Sequence, residues 1–166
     1  MSAVTLVRQI AARPSIVFDA LTTSEGVAAW WGPDDTPVIL AESDARVGGA
    51  YRIRFRTLDG QVHEACGEYL ELVPHHRVVI SYRYVLGGEP DEFGRTSRIV
   101  IELTPIAGGV ELTLTQTELK TGASALSHEG GWSGALDKLV RLFGAAPEPA
   151  DANPQNGKQE GPHDAR

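Results

Sequence analysis

The sequence is poor in the groups that most often announce a chemistry. Its 166 residues hold one cysteine, Cys66, so no intrachain disulfide can form and a reducing, cytoplasmic setting is expected. Aromatic residues are only 7% of the chain, which makes the places where they gather informative. Positive charge is short too: 15 Lys and Arg against 22 Asp and Glu leave a formal net charge of -7. That balance argues against a phosphate-binding surface, and so against nucleic acid as a partner. No apolar run approaches the roughly 20 residues of a membrane helix, so no membrane insertion is expected. The opening MSAVTLVRQIAARPS is interrupted by Arg8 and Arg13 and lacks the basic-then-apolar order of a signal peptide. Nucleophile elbow, phosphate-cradling loop and dinucleotide fingerprint are all missing. His63-Glu64 with Cys66 approaches a zinc-deaminase spacing, but the second Pro-Cys-x-x-Cys segment is absent. Neither metal nor cofactor is expected.

What is present is patterned. Hydrophobic residues make up 42% of a length that suits one domain with one core. Val4 and Leu6 mark a first strand, and Pro14 stands where a helix favours its first residue. Thr22 and Glu25 have capping-box spacing, so a second short helix is expected to carry Val27, Ala28, Trp30 and Trp31, with Gly32-Pro33-Asp34-Asp35 as its stop. Strands follow at 37–41, 50–58, 63–72, 78–84, 98–103 and 110–116. The clearest is AYRIRFRTL, where Tyr51, Ile53 and Phe55 share one face and Arg52, Arg54 and Arg56 the other. Strands joined by short turns imply a meandering antiparallel sheet. Gly87-Gly88 and Gly108-Gly109 read as hairpin turns.

Ser127–Phe143 is the long helical pattern, with Trp132, Leu136, Leu139, Val140 and Phe143 on one face. Because Gly130-Gly131 is a poor helix interior, the regular helix is expected to begin near Gly131 or Trp132, leaving His128 in a hinge-like entry. Residues 1–144 then form the domain, and 145–166, rich in Pro, Asn, Gly and charge, a disordered tail.

Several motifs together resemble a known family. They are Phe18-Asp19-Ala20-Leu21-Thr22, Glu25 with Trp30-Trp31-Gly32-Pro33, Arg46-Val47-Gly48-Gly49-Ala50-Tyr51, Gly67 to Pro74, Val110 to Thr115, and His128 with Gly131-Trp132. In this order they resemble the family named for the C-terminal domain of the heat-shock ATPase activator, within the START-like (SRPBCC) superfamily. The resemblance implies an α+β helix-grip fold: a curved antiparallel sheet of six or seven strands wrapped around a long C-terminal helix, with two short helices after strand one. It also implies a cavity between sheet and helix holding a small apolar ligand, some members using it for cyclase- or hydrolase-type chemistry.

Under that resemblance Trp30, Tyr51, Phe55, Tyr82, Tyr84 and Trp132 are the candidates to line the cavity, against the alternative that they fill a solid core. Gln116, in phase with Leu112 and Leu114, sits either at the cavity end or at an exposed strand terminus. Catalytic candidates are Glu68, if its face of the 63–72 strand turns inward, and His128. That strand has two open phases, Glu64-Cys66-Glu68-Leu70-Leu72 or His63-Ala65-Gly67-Tyr69-Glu71. His75-His76 follow a proline and read as surface residues. Three functions are in play: binding of a small apolar or aromatic molecule, a cofactor-independent enzyme in the same cavity, and a protein-interaction or chaperone-associated module of the stress response. A homodimer is compatible with the last, whose best feature is Trp30-Trp31, since adjacent indoles cannot share one helix face.

Overall fold

Strong alternation and short turns give the expected antiparallel sheet. The computed structural model describes residues 1–32 and 37–147. After β1 (Ser2–Ile10) come α1 (Pro14–Thr22) and α2 (Ser24–Trp30). The strands β2 (Val38–Ser43), β3 (Ala50–Arg56), β4 (Val62–Val73), β5 (Arg77–Leu86), β6 (Ser97–Ile106) and β7 (Gly109–Leu119) follow, and α3 (Gly122–Phe143) closes the chain order. The seven strands form one sheet in the order β1-β7-β6-β5-β4-β3-β2, every pair antiparallel. The return of β1 to pair with β7 lets α1 and α2 cross to the far edge, and α3 lies across the inner face against β1, β7 and α2.

The inner face is the one alternation selects. Tyr51, Ile53 and Phe55 of β3 are buried, as are Ile99, Ile101 and Leu103 of β6 and Val110, Leu112 and Leu114 of β7. Leu136 and Leu139 of α3 meet them with no exposed surface. Each such side chain contributes about 1.5–3 kcal/mol by leaving water. At its solvent edge α3 is tied to β1, where Arg8 donates to Asp137 (3.1 Å) and to the Ser133 hydroxyl (3.0 Å).

Several boundaries differ from expectation. The helix after α1 is capped by Thr23, whose Oγ1 accepts the Gly26 N–H at 3.0 Å, while the Thr22 hydroxyl turns back to the Phe18 carbonyl. Of the expected stop, Pro33, Asp34 and Asp35 lie outside the described residues. The last helix begins nine residues before the expected start, capped by the Thr121 hydroxyl on the Ser124 N–H. Two glycines in a helix cost about 1 kcal/mol each, but Ser124, Ala125, His128 and Trp132 are all buried and extend the stripe upstream. His128 is therefore in mid-helix, not in a hinge. Past the expected domain end, Ala145 bridges Ile10 and Ala146 is buried, so packing continues beyond 144; the rest of the expected tail, 148–166, lies outside the described residues.

The β4 phase is settled by packing. Ala65 and Tyr69 are buried on the inner face. Glu64 is buried on the outer one, where Arg54 (2.8 Å) and Arg52 (3.3 Å) each hold one of its oxygens. Two guanidiniums are what make a carboxylate tolerable there.

Candidate functional site

Beneath α3, where the ends of β3, β4 and β5 approach it, lies a cavity of ≈ 120 Å³. Strand phase directs Phe55, Tyr82 and Tyr84 at it, and α3 presents His128, Trp132 and Ala135. Trp31 joins them because it stands just past α2 in extended conformation (φ -67°, ψ 150°), which swings its indole inward while Trp30 stays on the helix face. The rings form a continuous belt. Phe55 stacks on His63 (centroids 5.6 Å apart), His63 meets Tyr84 edge-on (6.3 Å), and Tyr84 meets Tyr82 at 5.2 Å. Tyr82 in turn stacks on Trp31 (6.2 Å), whose ring meets Trp132 edge-on at 4.9 Å. Gly131 forms part of the wall, and a Cβ there would meet no atom within 4 Å.

A polar chain runs through the belt. His128 Nδ1 lies 2.8 Å from the Ser124 carbonyl oxygen, and Nε2 lies 2.9 Å from the Tyr84 hydroxyl. A carbonyl only accepts, so Nδ1 carries the proton and Nε2 accepts from Tyr84. Burial pushes the Tyr84 phenol up to about 12, with the nearby carboxylates of Glu89 and Glu92 adding to the rise against the lowering bond from Tyr82. Burial likewise raises Tyr82 well above the ordinary phenol value, and its neighbour Tyr84 adds to this.

The connector between β5 and β6 borders the mouth and is latched to the start of α3. Three acids meet three hydroxyls: Ser127 donates to Glu89, Thr121 to Asp91 (2.8 Å), and Ser124 to Glu92 (2.7 Å). Glu92 is buried and also accepts the Lys120 N–H at 3.0 Å, negative charge that suits a helix N-terminus. Gly87-Gly88 thus opens a connector on the cavity wall, rather than a simple hairpin turn. Gly88 (φ +88°) donates its N–H to His63 Nδ1 at 2.6 Å, and a Cβ there would stand 2.2 Å from the Tyr84 ring.

The expected residues divide into three groups. Phe55, Tyr82, Tyr84, His128 and Trp132 converge on the cavity. Trp30 and Tyr51 lie deeper, around a separate void of ≈ 20 Å³, with the Trp30 N–H on the Ala20 carbonyl (2.8 Å) and the Tyr51 hydroxyl on the Ser81 carbonyl. Gln116 is fully buried, not at an exposed strand end: it accepts from the Trp132 N–H (2.7 Å) and donates to Ser97 (2.9 Å), so it positions a cavity wall from behind. Glu68 is exposed on the outer side of the sheet, away from the cavity, because the other phase of β4 turns inward. His75 and His76 are exposed. Sequence reasoning did not assign Trp31, His63 and Glu89 to the site. The inward phase of β4 would have found His63; the other two depend on a helix end and a connector path that periodicity does not encode.

A curved antiparallel sheet gripping a long C-terminal helix, with an aromatic-walled cavity beneath that helix, defines a START-like helix-grip domain. Residues 11–144 match the family described as Activator of Hsp90 ATPase homolog 1-like protein, and the chain belongs to that family. A solved protein of Chromobacterium violaceum is 30% identical, with 89% of this chain and 100% of that one covered at a TM-score of 0.73. The AHSA1 protein of Silicibacter pomeroyi is 24% identical over 85% of this chain and 96% of its own, also at 0.73. A Mycobacterium smegmatis protein is 19% identical over 88% and 93%, at 0.71. For these last two the likeness is one of fold alone. The sequence matches no curated protein. Among the described residues, no helix is long and apolar enough to cross a membrane.

Proposed function

We propose that this domain binds a small apolar or aromatic molecule in the cavity beneath α3. The observation that carries the reading is the belt of rings around a space of ≈ 120 Å³. An apolar protein cavity of about 150 Å³ accepts benzene, so the ligand is on the scale of a single ring. The phenols favour binding over acid–base chemistry. A proton donor works best with a pKa near the working pH, and burial moves the Tyr84 phenol away from that range, up to about 12. A cofactor-independent enzyme is the second reading, because Tyr82, Tyr84 and His128 converge on one space; it would rest on His128. An interaction or chaperone-associated module loses the feature that favoured it, since both Trp30 and Trp31 are buried in the chain's own core. The unpaired Cys66 suits a cytoplasmic setting.

A thermal-shift screen of single-ring compounds tests the reading. Binders should raise the melting temperature in a concentration-dependent way. Gly131→Leu, which puts a side chain into open space on the wall, should remove the shift while the domain stays folded. No shift with any compound in the native protein would overturn the proposal.

A further inference from the structure

The fixed charge on the cavity wall is of one sign. On the helix side the Tyr84 hydroxyl gives its proton to His128 Nε2, so its oxygen keeps acceptor capacity. The charged side chain on the wall is Glu89, held over the mouth through the Ser127 hydroxyl on its Oε1. No lysine or arginine among the described residues lines this space. Arg95, the nearest counter-charge of the connector, sits 3.7 Å from Glu92 instead. The walls are electron-rich π faces, two of them indoles, which attract positive charge most strongly when water is excluded.

We propose that the ligand is an organic cation: a small amine in its ammonium form bearing one compact apolar or aromatic group. Its nitrogen lies between the Glu89 carboxylate and the faces of Tyr82, Tyr84 and Trp31, and its apolar group fills the space against Trp132 and Phe55. The inference rests on the binding reading above and narrows it from any apolar molecule to a charge class. A carboxylate ligand of the same shape would face the Glu89 carboxylate with no lysine or arginine on the wall to balance it, and desolvating it there is costly.

Three probes of matched shape test this at neutral pH: benzylamine, benzyl alcohol and benzoate, read by quenching of tryptophan fluorescence and by calorimetry. Benzylamine should bind about tenfold more tightly than benzyl alcohol, the range a partly desolvated cation–π site with a carboxylate supports. Benzoate should bind weakest. Added salt should weaken benzylamine more than the alcohol, and Glu89→Gln should bring the amine-to-alcohol ratio close to one. Benzyl alcohol or benzoate binding as well as benzylamine, or an amine preference indifferent to both salt and Glu89→Gln, would overturn the cation proposal and leave the cavity reading standing. If none of the three binds while other single-ring compounds raise the melting temperature, the cation proposal falls and the cavity reading stands; if nothing at all binds, both fall.

Discussion

The Tyr84 hydroxyl donates to His128 Nε2 across 2.9 Å, and this bond joins the sheet to the helix at the edge of the cavity. His128 is only 6% exposed and its other nitrogen is committed to the Ser124 carbonyl, so the imidazole is held in one tautomer and one orientation. Tyr84→Phe removes the donor and leaves a buried acceptor unanswered. The expected cost is about 1–3 kcal/mol of unfolding free energy, measured by urea denaturation. A loss no larger than that of an exposed substitution would mean that the pair does not hold helix to sheet.

All four tyrosines of the chain have raised phenol pKa values, burial being the leading cause at each. The native state therefore keeps protons that the unfolded chain releases from about pH 10 upward. Stability from these groups is complete below that point and is lost as pH rises, for Tyr84 up to about 12. Phenolate absorbance should accordingly stay low through the ordinary tyrosine range and rise together with loss of far-ultraviolet ellipticity. A separate phenolate step at ordinary pH in the folded protein would contradict the burial described.

Two glycines near the cavity should respond in opposite directions to alanine. At Gly130 a Cβ meets nothing within 4 Å and the backbone is regular helix, so Gly130→Ala should stabilise by about 0.4–1 kcal/mol. At Gly88 the backbone is left-handed (φ +88°) and a Cβ would enter the Tyr84 ring, so Gly88→Ala should cost roughly 2 kcal/mol or more. Calorimetric melting of both variants checks the pair of signs.

Much of the architecture was readable before any coordinates. The alternation of Tyr51, Ile53 and Phe55 with Arg52, Arg54 and Arg56 marked both faces of β3, because an antiparallel strand with one wet side writes its orientation into composition. The family motifs supplied the helix-grip arrangement. What escaped was polar and buried. The helix was expected to start late because of Gly130-Gly131, and Ser124 and His128, which carry its inward stripe upstream, are invisible to hydrophobic periodicity. The phase of β4 stayed open in the sequence; packing turns Glu64 and Glu68 outward, with Glu64 held by two arginines across the strands. Trp31 escaped for a third reason: one residue of extended backbone after α2 decides where its ring goes.

The three acids of the β5–β6 connector rest on Thr121, Ser124 and Ser127, and Thr121 is the residue that caps α3. Lifting the connector from the mouth thus removes acceptors from the first turns of the helix in the same step. Opening of the mouth and fraying of the helix start would then be coupled. The exchange rate of amide hydrogens at the head of α3 would also report how often the mouth opens.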